Sequence, residues 1–489
     1  MSIGKKVVGS LALATILWAG ATAYIGGNTK TYLDNYINKS NKIYANNGMK
    51  MSLLSFDKGF LNSKAKVSVD FIDPTMKEEL KEVLKLPMTM DYNIENGPLL
   101  FQNGLALGAS RVNSTVNVNE LLADSVNLKE FIKEDIVIDS NMRVDFSNHV
   151  TYTANSKQIV ANVEGDVFTI APFKMNGQMN METFIGNFKM LSESIKGDLE
   201  NGGKVMLKDI VVDADITKFF DNGFYLGNFA FAINSLNVKN PSSPIEFKNS
   251  TVNMLMNIDQ SESETVDMDF AMNINVGDTE LPAEYAFVKA LNVNYGIAGA
   301  KLKGLLAFQD TIQEIQVEQQ AVLQKLSSVK TQEEQMLVFE ELQKVQMHQQ
   351  EKMLLLFADF LVKEKTTLKV EASLTDKSDT NSNATFDIKY VGDEVLPKTL
   401  EELETKFQEE LLNWVKLNIN VDLQKSLVDK LPEETQQQLA MAMMTGMLQD
   451  NNSSYSFNAN YVPKKLMVNG QDKSDMLMLV EMALQGGMQ

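Results

Sequence analysis

Residues able to do chemistry are few. The chain has 489 residues, no cysteine and two histidines, His149 and His348. Thiolate catalysis, disulfides, iron–sulfur clusters and cysteine-built zinc sites are therefore excluded, and a histidine-rich metal centre has little to draw on. A Ser-His-Asp triad would need one of the two histidines. His149 sits in the strand-like run Asp145-Phe-Ser-Asn-His-Val150 and His348 on a Gln-rich helical face, so each reads as structural or solvated. The run Gly197-Asp-Leu-Glu-Asn-Gly202 has the spacing of a phosphate-binding loop, but Gly203 stands where lysine is required and Val205 follows Lys204. There is no Gly-x-Ser-x-Gly elbow and no His-Glu-x-x-His helix. Asp213 and Asp215 alternate on one strand, with Asp221 nearby, which would suit a weak Ca²⁺ site or an acid/base pair. EF-hand spacing is missing, and the solvent face of a sheet accounts for these acids. The expectation is no catalytic residue, no metal and no cofactor.

Charge narrows the partners. Lys plus Arg number 45 against 64 Asp plus Glu, a formal net charge of −19. Such a surface repels phosphate backbones and argues against nucleic acid.

The N-terminus carries Lys5 and Lys6 and then the uncharged stretch from Val7 to Ile25, including Leu11, Leu13, Ile16, Leu17, Trp18 and Tyr24. As a helix it spans roughly 28 Å, close to a bilayer's hydrocarbon thickness. The lysines favour a cytoplasmic N-terminus, and Trp18 and Tyr24 suit the far interface. A single-pass inner-membrane anchor over residues 1–26, with the rest in the periplasm, is the expectation. Ala19-Gly20-Ala21 and Ala21-Thr22-Ala23 also resemble cleavage sites, so a cleaved signal peptide is the alternative.

Beyond the anchor the dominant period is two. Val252, Met254, Met256 and Ile258 alternate with polar residues, as do Val266, Met268, Phe270, Met272, Ile274 and Val276. Gln260-Ser-Glu-Ser-Glu264 between them reads as a turn, making an antiparallel hairpin. Similar alternation in Val67-Val69-Phe71, Met142-Val144-Phe146 and Phe386-Ile388-Tyr390 extends the pattern. A β-rich body over residues 27–308 follows. Its apolar face needs a second sheet or closure into a trough or barrel, among which periodicity cannot choose. The 28 methionines read mainly as core filler.

From Asp310 the period becomes helical, through Ile312, Ile315, Val322, Leu326 and Val329, then Val338, Leu342 and Val345, giving a helix hairpin over 309–365. The run Thr331-Gln-Glu-Glu334 has the form of a capping box. Residues 366–489 read as mixed strands and helices on the same body. Thr399-Leu-Glu-Glu402 opens one helix towards Trp414, Pro432 begins another reaching about Leu448, and Met476 to Leu484 form a short terminal one. The fold class is β-rich α+β: a transmembrane helix, a long curved antiparallel β body and amphipathic helices inserted late.

Several short motifs, in order along the chain, resemble the YdgA-like family of Gram-negative envelope proteins, a bacterial domain of unknown function. Phe56, Gly59, Phe60 and Ser63 lie in Ser55-Phe-Asp-Lys-Gly-Phe-Leu-Asn-Ser63. Gly97 and Pro98 follow Asn96, where the resemblance implies histidine. Gly223 and Gly227 lie in Asn222-Gly-Phe-Tyr-Leu-Gly227, and Asn469 and Gly470 close Leu466-Met-Val-Asn-Gly470. The resemblance implies a curved β-rich exported body on one N-terminal helix and transfers no catalytic residue. Gly59 and Gly97-Pro98 read physically as turn or bulge positions.

The leading functional expectation is a non-catalytic, inner-membrane-anchored structural or interaction protein of the envelope, its helix hairpin offered to periplasmic proteins. The alternative is binding or transfer of lipid or another apolar ligand along an open β trough. An enzyme using carboxylate, Ser or Tyr chemistry ranks last.

Overall fold

The computed structural model describes residues 29–44, 49–72, 74–82, 84–123, 132, 134–163, 165–243, 246–328, 331–392 and 412–477. The anchor positions Val7 to Ile25 and almost all of the Thr399 helix and of the terminal helix lie outside them. Among the described residues no helix is long and apolar enough to cross a membrane. The chain divides into two compact units, Met1–Ile233 with Gln316–Gln335, and Asn234–Ile315 with Met336–Gln489.

Unit 1 begins with helix α1 (Thr29–Tyr44), then strands β1 (Met49–Asp57) and β2 (Asn62–Phe71), a short helix α2 (Pro74–Lys81) and β3 (Met88–Asn96). The ribbon β4 (Leu99–Leu100) and β5 (Ala106–Leu107) precedes β6 (Ser110–Asn117), β7 (Val137–Val144) and β8 (His149–Ser156). Next come β9 (Ile159–Val163), β10 (Asp166–Ile170), β11 (Phe173–Asn180), β12 (Gly186–Asp198) and β13 (Lys204–Phe219). The division between units falls within β14 (Tyr225–Lys239). Pairing is antiparallel from β1 through β2, β3, β6, β7, β8, β11 and β12 to β13.

Alternation decides which side chains enter the core. In β2, Ala65, Val67, Val69 and Phe71 are buried, while Lys64 faces solvent. Tyr92 and Ile94 of β3, Val112 of β6, Met142 and Val144 of β7 and Val150 of β8 join them. Helix α1 supplies Leu33 and Ile37, one turn apart on one face, to the same cluster. Each fully buried aliphatic side chain of this kind contributes about 1.5–3 kcal/mol. The Asn41 amide pairs both ways with the backbone of β1, donating to the Met51 carbonyl (2.9 Å) and accepting from its N–H (2.7 Å). Burial also pushes the Tyr92 hydroxyl above its ordinary pKa. The β-rich body expected over residues 27–308 does not include this helix. Tyr32, Leu33, Tyr36, Ile37 and Tyr44 recur at helical spacing, and packing of Leu33 and Ile37 on the sheet stabilises the helix.

Unit 2 contains β15 (Phe247–Gln260), β16 (Thr265–Asn275), β17 (Val288–Lys301), β18 (Thr367–Asp376), β19 (Asn381–Tyr390) and β20 (Val415–Gln424). It closes with β21 (Gln449–Asn451), β22 (Ser454–Val462), β23 (Lys465–Val468) and β24 (Gln471–Asp472). The pairings again are antiparallel, β15 to β20 in order and then β20 with β22. The expected hairpin is present, with Met254 opposite Met272 and Met256 opposite Phe270.

Helices α3 (Leu302–Ser328) and α4 (Gln332–Asp359) stand where the helical period is read, the second starting just after Thr331. Helix α3 begins ahead of Asp310, however, taking in residues read as strand up to Phe308. The run Leu302-Lys-Gly-Leu-Leu-Ala-Phe308 suits either period, and packing decides: Leu305 is buried and the Phe308 ring meets Phe360 edge-on at 5.8 Å. Within unit 2, Lys352 pairs with Glu314 (3.0 Å) and Gln349 donates to the Ile315 carbonyl (3.3 Å). After α5 (Lys425–Val428), Pro432 is the cap residue and not the first turn of α6 (Glu433–Met444), which ends before Leu448 because β21 starts at Gln449.

Candidate functional site: an open apolar sheet face

The register of unit 2 places apolar residues opposite apolar residues on six successive strands. Met256, Phe270, Tyr295, Val370, Phe386 and Ile419 form one row across β15 to β20. Two residues along, Met254, Met272, Val293, Ala372, Ala384 and Val421 form a second. Val252, Ile274, Leu291 and Leu374 extend a third, and β22 prolongs the face with Ala459 and Phe457 opposite Ile419 and Val421. With strands about 4.8 Å apart and rows about 6.8 Å apart, the six-strand face measures roughly 24 Å across.

The reverse face is polar. Asn273, Asn292, Ser373, Asn383 and Asp422 make one cross-strand row, in which Asn292 donates to the Ser373 hydroxyl (3.1 Å). The sheet is thus two-sided, and its apolar side is not closed. Met256, Phe270, Val370, Phe386, Ile419 and the second row are only half-buried, and Tyr295 is 51% exposed. The Phe270 and Tyr295 rings lie 4.7 Å apart, a tilted pair on this open side. A face free of charge, lined by methionine, aromatic and branched side chains, can bind alkyl chains by burial.

The motif positions collect elsewhere. In unit 1 the β1–β2 turn and the β3–β6 connection meet around Asn96, whose amide donates to the Gly59 carbonyl (3.1 Å) and the Ser63 hydroxyl (3.1 Å). Gly59 N–H donates to the same hydroxyl (3.3 Å), and Ser63 is buried. Gly59 and Gly97 are close-approach positions. A Cβ would stand 1.8 Å from the Asn62 carbonyl at the first and 1.8 Å from the Gly108 carbonyl at the second. Phe60 itself points outward, while Phe56 packs on the core. Pro98, after a cis bond, accepts from Gly108 N–H (3.1 Å).

Beside them lies a pair that the sequence reading missed. Glu95 and Arg111, each side chain 7% exposed, stand 4.0 Å apart. The Glu95 carboxylate accepts the N–H groups of Phe101 and Gln102, and Arg111 donates to the Gly104 carbonyl (2.8 Å). Two lone charges separated by sixteen positions leave no local signal.

Gly223 lies in the β13–β14 turn of unit 1 and Gly227 is the third residue of β14, both apart from this cluster. In unit 2, Asn469 and Gly470 turn β23 into β24, the Asn469 amide donating to the Met447 carbonyl (2.8 Å). Of the candidate acids, Asp213 pairs with Lys189 (3.6 Å) on the surface, Asp215 stands exposed two positions further along β13, and Asp221 sits in a turn. His149 opens β8 exposed, its N–H donating to Asp145 (2.9 Å). Burial tends to raise the Asp145 pKa, but the N–H groups of His149 and Ser147 hold the carboxyl below its ordinary value. Burial pushes the Tyr152 hydroxyl up to about 12. Among the described residues no three His, Asp or Glu side chains gather as a metal site.

A family model described as a bacterial protein of unknown function, DUF945, matches residues 5–474. The uncharacterized protein YihF of Escherichia coli strain K12 is 25% identical over 256 residues, covering 49% of this chain and 50% of that protein. The chain therefore spans about half the length of this curated relative. No solved structure matches it.

Proposed function

We propose that this chain, which belongs to the bacterial family of unknown function DUF945, is a non-catalytic, membrane-tethered envelope protein that binds lipid acyl chains on the open face of unit 2. The observation that carries the reading is the continuous, half-buried apolar lattice over β15 to β20, polar on its back. Burying an alkyl chain there removes apolar surface of both partners from water, about 25 cal/mol per Å². The resemblance to YdgA-like proteins and the uncharged stretch from Val7 to Ile25 support placement at the inner membrane, with the body on the periplasmic side.

A photoactivatable phospholipid with a diazirine on its acyl chain tests this. Irradiating the full chain in vesicles containing the probe, followed by peptide mapping, is expected to give adducts at Phe270, Phe386 and Ile419. Phe386→Asn with Ile419→Asn should remove them with the fold retained. Adducts confined to residues 7–25 would sink the reading.

One observation favours the interaction reading as a second: Met336, Leu337 and Phe339 on the unit 2 part of α4 are exposed. Mild crosslinking with and without residues 310–363 checks it, and failure to recover any reproducible partner dependent on that segment counts against it.

A further inference from the structure

Three neighbouring connections at one end of the unit 1 sheet hold large apolar side chains out to solvent. Phe60 in the β1–β2 turn is 94% exposed, Leu105 between β4 and β5 is 74% exposed, and Phe146 in the β7–β8 turn is 65% exposed. Leu61, Phe101 and Leu107 beside them are also exposed. The registers Asn62 with Glu95, Asn96 with Ser110, Ser110 with Val144 and Val144 with Val150 bring these connections to the same end. A single exposed leucine or phenylalanine is ordinary, but a group on adjacent turns marks an interaction surface.

The turns are braced. Asn96 ties down the Gly59 and Phe60 carbonyls, the buried Glu95 carboxylate holds Phe101 and Gln102, and buried Arg111 holds Gly104. Polar groups are thus spent inside the loops, and the apolar side chains point away.

We propose that this end of unit 1 enters the interfacial layer of a lipid bilayer. The tether supplies the first argument. The uncharged stretch ends at Ile25, and the link to Thr29 spans at most about 14 Å. Ten residues into α1, roughly 15 Å along the helix, Lys39 donates to the Glu182 carbonyl and lies 4.7 Å over the Phe184 ring. That turn adjoins Phe146's, since Asn148 donates to Glu182 (2.9 Å). A membrane holding the stretch therefore lies within a few tens of ångströms of the exposed side chains, about the length of α1 plus the link.

The form of the surface supplies the second. The apolar groups stand on separate turns as prongs, which a fluid acyl boundary accommodates, whereas a protein partner needs a complementary packed patch. The turns carry Asp57, Asp145 and Glu182 against Lys58, so attraction to anionic headgroups is not the driving force. The proposal rests on the membrane tether expected of residues 7–25 and not on acyl binding by unit 2.

The chain has no native cysteine, which makes single-cysteine reporters unambiguous. Full-length Phe60→Cys, Leu105→Cys and Phe146→Cys, each labelled with bimane, would be reconstituted in phosphatidylcholine–phosphatidylethanolamine vesicles containing doxyl lipid. Thr115→Cys at an exposed position of β6 and Gln158→Cys in the exposed β8–β9 turn serve as references. Quenching at the three turn sites at least twice that of the references, unchanged in about 0.5 M salt, is expected. A Leu61→Cys reporter should lose that excess when Phe60→Ser, Leu105→Ser and Phe146→Ser are combined. Turn labels quenched no more than Thr115→Cys would overturn the proposal. So would turn labels shielded from aqueous iodide yet unquenched by lipid, because a second copy or another protein would then cover this end. Adduct formation at Phe386 is read separately, so loss of either result leaves the other interpretable.

Discussion

The same alternation of apolar and polar residues has opposite outcomes in the two units. In unit 1, Val67, Tyr92, Ile94 and Val150 are sealed in a core completed by Leu33 and Ile37 of α1. In unit 2, Met256, Phe270, Val370, Phe386 and Ile419 stand in equally regular register on a face that remains half open. A strand pattern therefore determines which residues share a face, while elements distant in sequence determine whether that face is covered. The closed face stabilises its unit; the open one retains unburied apolar surface that a ligand can cover.

Substitutions separate the two. The largest effect is expected at the rim of the closed sheet: Arg111→Ala strands the Glu95 carboxylate and should destabilise unit 1 by about 3–5 kcal/mol. Urea titration followed by hydrogen exchange in β3 and β6 checks this, and protection in β16 to β19 should stay unchanged. Next, Ile94→Ala should lose about 2–5 kcal/mol as a core truncation, but Phe386→Ala only about 1 kcal/mol, since its side chain is already half wet. Equal losses would erase the distinction between the faces.

Asp376 tests whether unit 2 draws stability from its turns in place of its face. Its side chain, 2% exposed, lies 3.3 Å from Lys430, and the N–H groups of Ser378 (2.8 Å) and Thr380 (2.9 Å) donate to it. Burial tends to raise its pKa, but those N–H groups and Lys430 outweigh this and hold it below the ordinary carboxylate value. Because the folded pKa is the lower one, the stabilisation is complete above the unfolded value of about 3.9 and disappears as pH falls through the folded value. Asp376→Asn should lower stability by about 1–3 kcal/mol at neutral pH, with the difference from the native chain shrinking in acid-denaturation curves as pH falls below the unfolded value of about 3.9. The smallest change is Phe60→Ser, expected within about 0.5 kcal/mol of the native chain by thermal denaturation.

Much of the β architecture is legible in the sequence because its cause is local. The Val252–Ile258 and Val266–Val276 alternation fixes a hairpin with one apolar face, and the shift to helical spacing after Asp310 marks α3 and α4. What could not be read was non-local. Leu302 to Phe308 fits either period until Phe360 packs beside it. The apolar lattice exists only once six strands are in register, and a three-row count needs every partner. Gly59 and Gly97 were legible as special backbone sites, but their reason is steric: neighbouring carbonyls occupy the places their Cβ atoms would take. Glu95 and Arg111 meet only through the pairing of β3 with β6.

Strand β1 pairs with β2, and on its other side the Asn41 amide binds the N–H and carbonyl of Met51. A side chain there takes the role of a neighbouring strand, using the backbone groups through which an edge would recruit another chain. Helix α1 consequently guards against edge-to-edge association as well as filling the core. Weakening that guard by Asn41→Ala should appear first as concentration-dependent self-association of the full chain, before any loss of β structure.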